Sequence, residues 1–543
     1  MKPINFTFFL IALIVTGIPL VHGEDASGKR SFEEEIAARP GGTLIIEESR
    51  GDLKIEGTND NKISVRAMLG VKNSSDDMVQ KYMEYTTLEL KKTSEGANLA
   101  FRTPEDVEDG SPFEVFAQQL KNLMKAGKWR ISVTRRMTVK VPREYGLEVH
   151  NKYGDVWVRN VNGELEIENQ SGEIKITESG GDLDIKNSYA AVHVRNFSGD
   201  ADIRASSGEV DLDQIQGSVD IENSYRGVKL NEIGGDCLIQ SSSADVTARG
   251  IQGDCRIRSS YRPICVEDVQ GDLDVNGSSA DITARRVAGR VEIESSYRDI
   301  EVDSVGKDLC IKGSSASVTA SRINGPVLIR TSYKPIKVED VNGSLDVEGS
   351  SCSVEAAGIA GDATIQATYK EIKLEDIGGR LEVHGSSAPV TAVNLRQSAI
   401  IHSSYKPIQV RTVKGDLEVN GGSCSIKVEN VDGDLEITNS YKYVIVRGTS
   451  GSIRVNGSSS PIEVTNVKRV PENGTIELIT TYKPITLSLP KGLKAAIDAK
   501  TKYGKISVNF GDNHGSAEGH MTFGQDGVPI VLKTDKDITV TEN

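Results

Sequence analysis

Six tyrosines at one spacing are each followed by a cation: Tyr225-Arg226, Tyr261-Arg262, Tyr297-Arg298, Tyr333-Lys334, Tyr369-Lys370 and Tyr405-Lys406, each pair 36 residues after the last. An aromatic face with a charged or polar neighbour is a platform on which a sugar ring can lie. The row Tyr225, Tyr261, Tyr297, Tyr333, Tyr369 and Tyr405 is therefore the candidate binding site, and its chemistry would be non-covalent retention of a linear polysaccharide. The competing reading is packing, with each ring lying flat over the small residue of the next turn of the chain.

The other reactive side chains form no catalytic or metal-binding pattern. His384 and His402 are separated by half the tyrosine interval, which suits two surface imidazoles at one phase better than a metal corner. His514 and His520 share a glycine-rich stretch without the cysteine or acid framework of a zinc site. Cys237, Cys255, Cys265, Cys310, Cys352 and Cys424 follow no CxxC spacing. Cys237 and Cys255 share an inward phase within disulfide range, but parallel side chains orient poorly for that bond, and buried thiols are expected. Asp236, Asp254 and Asp272 form a column beside glycines. Such aspartates accept backbone N–H bonds at turns, and the glycine-rich nonapeptides of calcium-binding β-rolls are absent. No catalytic residue, metal or cofactor is expected.

The spacing itself dictates the fold. Tyrosines recur every 36 residues from Tyr153 to Tyr441, with serines midway from Ser171 to Ser459. The unit is half of that interval, in two alternating versions, and eighteen units pass without an insertion. Units of constant length stack on one another. Within a unit, Leu273 and Val275 alternate with polar neighbours, as do Ile282 and Ala284 after a polar turn, and Val287 closes the unit. Alternation over three to five residues marks strands with one buried face. A glycine at one fixed phase (Gly271, Gly289, Gly325, Gly343) marks a corner that needs positive φ or has no room for a side chain. The expected fold is all-β: a parallel β-solenoid of 18-residue coils, with a regular part at 146–467. At ~4.8 Å per coil, eighteen coils would span ~85 Å.

The two unit versions fit each other. Tyrosine units carry acids after their second strand (Glu267-Asp268, Glu339-Asp340), while serine units carry Arg249, Arg285-Arg286 or Arg322. Stacking then sets acid beside base and helps to fix register. The net charge is −14, which argues against a nucleic-acid or anionic-lipid partner.

Residues 1–23 read as a signal peptide: Lys2, an apolar run from Phe6 to Val21, then small residues before a cut after Gly23. Cleavage would leave no membrane span. The unit pattern appears once at Gly42–Gly57 before an interruption. Within it, 62–68, 86–91 and 129–141 read as strands, and 75–85 and 112–125 as helices. Residues 24–145 are expected to cap one end with mixed α and β structure, and 468–543 to form irregular coils and a second cap, since open strand edges invite pairing.

The order of an apolar leader, a Gly41-Gly42 start, Gly51-Asp52-Leu53, an inserted region, Val141-Pro142 and repeated Gly-Asp-Leu-x-Val units resembles the adhesin-named family of bacterial β-strand-repeat domains. Their function is otherwise unknown. The resemblance implies the fold and an exported setting: periplasm, cell surface or medium. The function expected is a non-enzymatic envelope or surface protein, structural and adhesin-like. Its partner would be a polysaccharide or another envelope protein. The alternative is a carbohydrate-active β-helix enzyme, a polysaccharide lyase or hydrolase, with its site in one of the cap regions.

Overall fold

The structure is a computed structural model that describes residues 26–74, 76–104, 118, 122, 132–524 and 526–543. The expected signal segment lies outside the described residues, as does most of 112–125. The chain divides into two compact units, Met1–Gly253 and Asp254–Asn543. Each is a parallel β-solenoid of 18-residue coils, with about 18 turns in all.

One coil of the second unit shows how the sequence builds all of them. Leu273–Asn276 pairs in parallel with Val291–Glu294, and Ile282–Val287 with Ile300–Val305. The partners Leu273↔Val291 and Ile282↔Ile300 are each one coil apart, so like stands on like. Leu273, Val275, Ile282 and Ala284 are buried, while Asp274 and Thr283 are half-exposed, as the alternation demands. The core is a set of aliphatic ladders. An aliphatic residue lost from one rung leaves a void that neighbours held by the ladder cannot collapse to fill.

Alternation breaks between Ala284 and Val287, both of which point inward. The cause is the residue between them: Arg286 has φ 55°. The same phase is left-handed in coil after coil, at Asp268, Ser304, Arg322, Asp340, Asp376 and Thr412. A left-handed residue turns the strand and returns the next side chain to the interior. The corner glycines answer to space. A Cβ on Gly289 would lie 2.3 Å from the Gly271 carbonyl oxygen, and one on Gly343 2.4 Å from that of Gly325. Of the two reasons a glycine could be fixed there, the lack of room is the one that operates at these positions.

The tyrosine corner is held from inside. Two residues before each tyrosine lies a buried polar side chain: Asn187 and Asn223 in the first unit, and Ser259, Ser295, Thr331, Ser403 and Asn439 in the second. Asn223 donates to the carbonyls of Gly208 (3.1 Å) and Arg226 (2.9 Å), tying its own coil to the preceding one. Asn439 does the same with Cys424 (2.9 Å) and Lys442 (3.3 Å). Serine and threonine reach only the preceding coil: Ser295 to Ala280, Thr331 to Ala316, Ser403 to Ala388. Ala367 fills this phase without a polar group. Beside it, Thr368 accepts the Ser351 N–H (3.1 Å).

In the first unit, Thr43–Arg50 and Asp52–Thr58 form a coil that stacks on Gly146–Tyr153 and Val156–Arg159. The residues between leave the stack and return. Ala26–Ala37, Lys62–Ser74 and Ser132–Pro142 make antiparallel pairs, with the helix Asp76–Glu84 against the first two. Thr87–Lys92 and Gly96–Arg102 form a hairpin, its second strand alongside Thr43–Arg50. In the second unit the period lengthens once, from Ile462 to Ile485, and the stack then leaves chain order. The last strands, Val528–Thr534 and Ile538–Glu542, insert between Ile476–Thr480/Ile485–Leu489 and the long strand Ala495–Phe510. Asn513–Phe523 folds back antiparallel on that long strand.

Two substitution pairs test this account. Ile282→Asp buries an unpaired charge and lowers stability by several kcal/mol, whereas Thr283→Asp leaves the melting temperature nearly unchanged. Equal shifts in thermal melts would mean the strand phase is wrong. Asn439→Ala strands two buried carbonyls and costs about 2–4 kcal/mol, against about 1–2 for Ser403→Ala, which strands one. Urea titrations giving the same loss for both would refute the bridging role of the asparagine.

Candidate functional site

The tyrosine row is placed by the corner beneath it. In the second unit, the N–H of most serine corners donates to the residue before the preceding tyrosine, as in Ser279 to Ser260 (2.8 Å), Ser315 to Ser296 (2.7 Å) and Ser423 to Ser404 (2.6 Å); Ser351 donates instead to Thr368. The interior side is filled by the buried Ser, Thr or Asn two residues earlier and, one coil on, by Ala280, Ala316, Cys352, Ala388 or Cys424, each fully buried. With the corner sealed from below, the tyrosine side chain turns outward. Tyr261, Tyr297, Tyr333, Tyr369 and Tyr405 are 64–67% exposed. That degree of exposure leaves the rings little part in sealing the corner. Neighbouring rings are two coils, or ~9.6 Å, apart, beyond the range of direct aromatic pairing. The half-buried serines Ser279, Ser315, Ser351 and Ser387 lie in the gaps.

Tyr225 belongs to the first unit, where it is 67% exposed, and the other five belong to the second. The second unit also extends the row beyond the six. Tyr441-Lys442 continues it, and Tyr482 (63% exposed) regains the phase because Ile462 pairs with Ile485 despite the longer coil. The signal for Tyr482 is local: Tyr482-Lys483-Pro484-Ile485 repeats Tyr333-Lys334-Pro335-Ile336 and Tyr405-Lys406-Pro407-Ile408.

The strand faces flanking the row are laced with ion pairs between coils. Arg286 bonds Asp268 (2.6 Å) and Arg285 bonds Glu301 (2.7 Å), as the alternation of acid and base predicts. Lys373 bonds Glu355 (3.0 Å) and holds that carboxyl below its ordinary range, while Glu355 raises the ammonium of Lys373. Lys414 pairs with Asp432 and Arg330 with Glu348. These exposed pairs each contribute little to stability; their effect is on register.

The aspartates beside the corner glycines are structural. Asp272 accepts the Arg290 N–H (2.8 Å), Asp254 that of Asp272 (2.8 Å), and Asp416 that of Asp434 (2.8 Å). The donor is the same phase one coil on, where the sequence suggested the aspartate's own turn. This matters for the open groove of about 640 Å³ lined by Arg380, Ser398, Asp416, Glu418, Asp434 and Arg454. Asp416 and Asp434 there are committed to backbone N–H groups, and Glu418 accepts from Asn420 (2.7 Å).

His384 and His402 stack, with ring centroids 5.3 Å apart and planes 8° from parallel. In-plane lone pairs of two parallel rings do not converge on one ion, and the His384 Nε2 lies 2.7 Å from Glu382. Among the described residues, no group of three or more His, Cys, Asp or Glu could hold a metal ion. Cys237, Cys255, Cys352 and Cys424 are buried, and Cys265 and Cys310 are half-buried. Burial pushes the thiols of Cys352 and Cys424 above their ordinary value. Among the described residues, no helix is long and apolar enough to cross a membrane.

No curated protein and no solved structure matches the chain. The Toastrack DUF4097 family matches residues 42–317, just over half of its length and including the coil at Thr43–Thr58 and the first stretch of tyrosine corners. Two in-register strands per coil and a constant 18-residue step agree with that match. The chain belongs to the Toastrack DUF4097 family, a β-solenoid domain of unknown function.

Proposed function

We propose that the protein is an exported, non-enzymatic β-solenoid that serves at the cell envelope or surface as a structural and binding element. Its ligand is a linear polysaccharide laid lengthwise along the tyrosine row. The observation that carries this reading is the repeated exposure of Tyr261, Tyr297, Tyr333, Tyr369 and Tyr405 over corners already sealed by other residues. An exposed aromatic side chain that is not needed for packing is the usual anchor of a binding surface. The two-coil step of ~9.6 Å is close to the length of a disaccharide in an extended β-linked glycan, so one ring meets each repeat. Another envelope protein could occupy the same row, and binding to glycan in a purified system separates the two.

A rigid, unbranched stack suits a scaffold. Short corners of constant length build no enclosing loops, and catalytic clefts are built from loops on a rigid scaffold. The export reading rests on the Lys2–Gly23 pattern, and fractionation with N-terminal sequencing of the mature chain tests it.

Replacing Tyr297, Tyr333 and Tyr369 by Ala, one after another, should weaken glycan retention stepwise, about two- to tenfold per ring, at an unchanged melting temperature. A fall in melting temperature with retention intact would return the rings to packing and end the binding reading. Incubation with a polysaccharide panel should yield no cleavage products; turnover abolished by one acid-to-amide change would establish the enzyme alternative instead.

A further inference from the structure

Many strand-face bases of the second unit are paired: Arg285, Arg286, Lys312, Arg330, Lys373 and Lys414 each have a carboxylate within 3.0 Å. Five bases that follow tyrosines are not. Arg298, Lys334, Lys370, Lys406 and Lys442 are exposed, and none makes a salt bridge among the described residues. On a chain of net charge −14 acids are plentiful, and the neighbouring faces show how readily such a surface pairs its bases. A cation left unpaired at one phase, two coils after two coils, marks a line where positive charge stands outward.

We propose that the ligand of this ridge is an anionic linear polysaccharide carrying about one carboxylate per disaccharide, an alternating polyuronate in which a neutral sugar follows each uronic acid. The proposal rests on the glycan reading above and adds the sign and spacing of its charge. Ring and cation share one step of ~9.6 Å, so a repeat that lays one sugar on a tyrosine brings its carboxylate to the adjacent Arg298, Lys334, Lys370, Lys406 or Lys442. Each exposed ion pair is weak. Joined along one chain, however, the contacts reinforce one another through effective concentration. The same step disfavours nucleic acid, whose strands carry a phosphate every ~3.4 Å. About two of every three phosphates would then face an acidic protein without a partner.

The test uses the full mature chain, the alternating polyuronate, the same polymer with its carboxyls reduced to the neutral sugar, and single-stranded DNA. We expect the polyuronate to bind at least about tenfold more tightly than its neutral counterpart, with affinity falling as salt rises. The variant Lys334→Gln/Lys370→Gln/Lys406→Gln should lose about tenfold for the polyuronate and nothing for the neutral glycan, at an unchanged melting temperature. Equal binding of both polymers, unaffected by the three substitutions, overturns the charge assignment and leaves the glycan reading standing. Binding of neither polymer overturns both. Lysine-dependent binding of DNA as tight as that of the polyuronate would overturn the glycan class.

Discussion

The parallel hydrogen-bond ladder between successive coils of constant length is the constraint on which everything else depends. Leu273 N–H donates to Arg290 O and Val291 N–H to Asp308 O, each at 2.8–2.9 Å, and the pattern continues through both units. Because the step never changes in the regular part, every side chain stands above the same phase of the next coil. That rule is what gives a short motif its reach. An isoleucine becomes a ladder, an aspartate a column of backbone acceptors, and a tyrosine in alternate coils a row.

Stacking also creates the problem that the alternation solves. Two bulky or like-charged residues at ~4.8 Å crowd or repel each other. Serine, alanine and cysteine fill the corners between tyrosine corners, and Arg286 stands against Asp268. At the tyrosine corner the chain bends, and carbonyls such as those of Gly208 and Arg226 turn inward, where leaving them unpaired would cost about 1–3 kcal/mol each. Asn223 answers both at once. The buried polar residue and the exposed ring are thus two sides of one corner. The inner group satisfies the backbone, and the outer one stands exposed.

Much of this was legible in the sequence because a repeat averages away local ambiguity. The two strands per coil, the inward phase of Ile282 and the coil at Gly42–Gly57 all follow from the alternation. Other features did not. The left-handed corner carries the favoured Asn or Gly only in some coils (Asn196, Gly250, Gly358, Asn394, Asn430), while Arg286, Thr412 and Glu178 at the same phase carry neither; there the stacked neighbours impose it. The buried polar ladder varies among Asn, Ser, Thr and Ala at one phase, and only its burial and its carbonyl partners reveal a shared task. The strand Ala26–Ala37 is rich in Lys, Arg and Glu, with none of its described side chains buried, so no hydrophobic alternation announces it. The place of Val528–Glu542 inside the stack is a long-range pairing for which no local motif speaks. At the ridge itself, six rings were visible from spacing; Tyr482 breaks the count and is marked by its Tyr-Lys-Pro-Ile motif, and the pairing of Ile462 with Ile485 returns it to the row.

The central claim is that periodicity built for stacking is also the recognition surface, so a ligand should be read one two-coil step at a time. The ridge of the second unit, from Tyr261 to Tyr482, extends over roughly 58 Å at ~4.8 Å per coil. The most direct measurement is the affinity of the protein for oligosaccharides of one alternating polyuronate, taken disaccharide by disaccharide in length. Affinity should rise with every added disaccharide until the ridge is spanned, and then reach a plateau. An affinity already complete at one or two sugars would contradict the claim, because a single local pocket would then do the binding and the row would not.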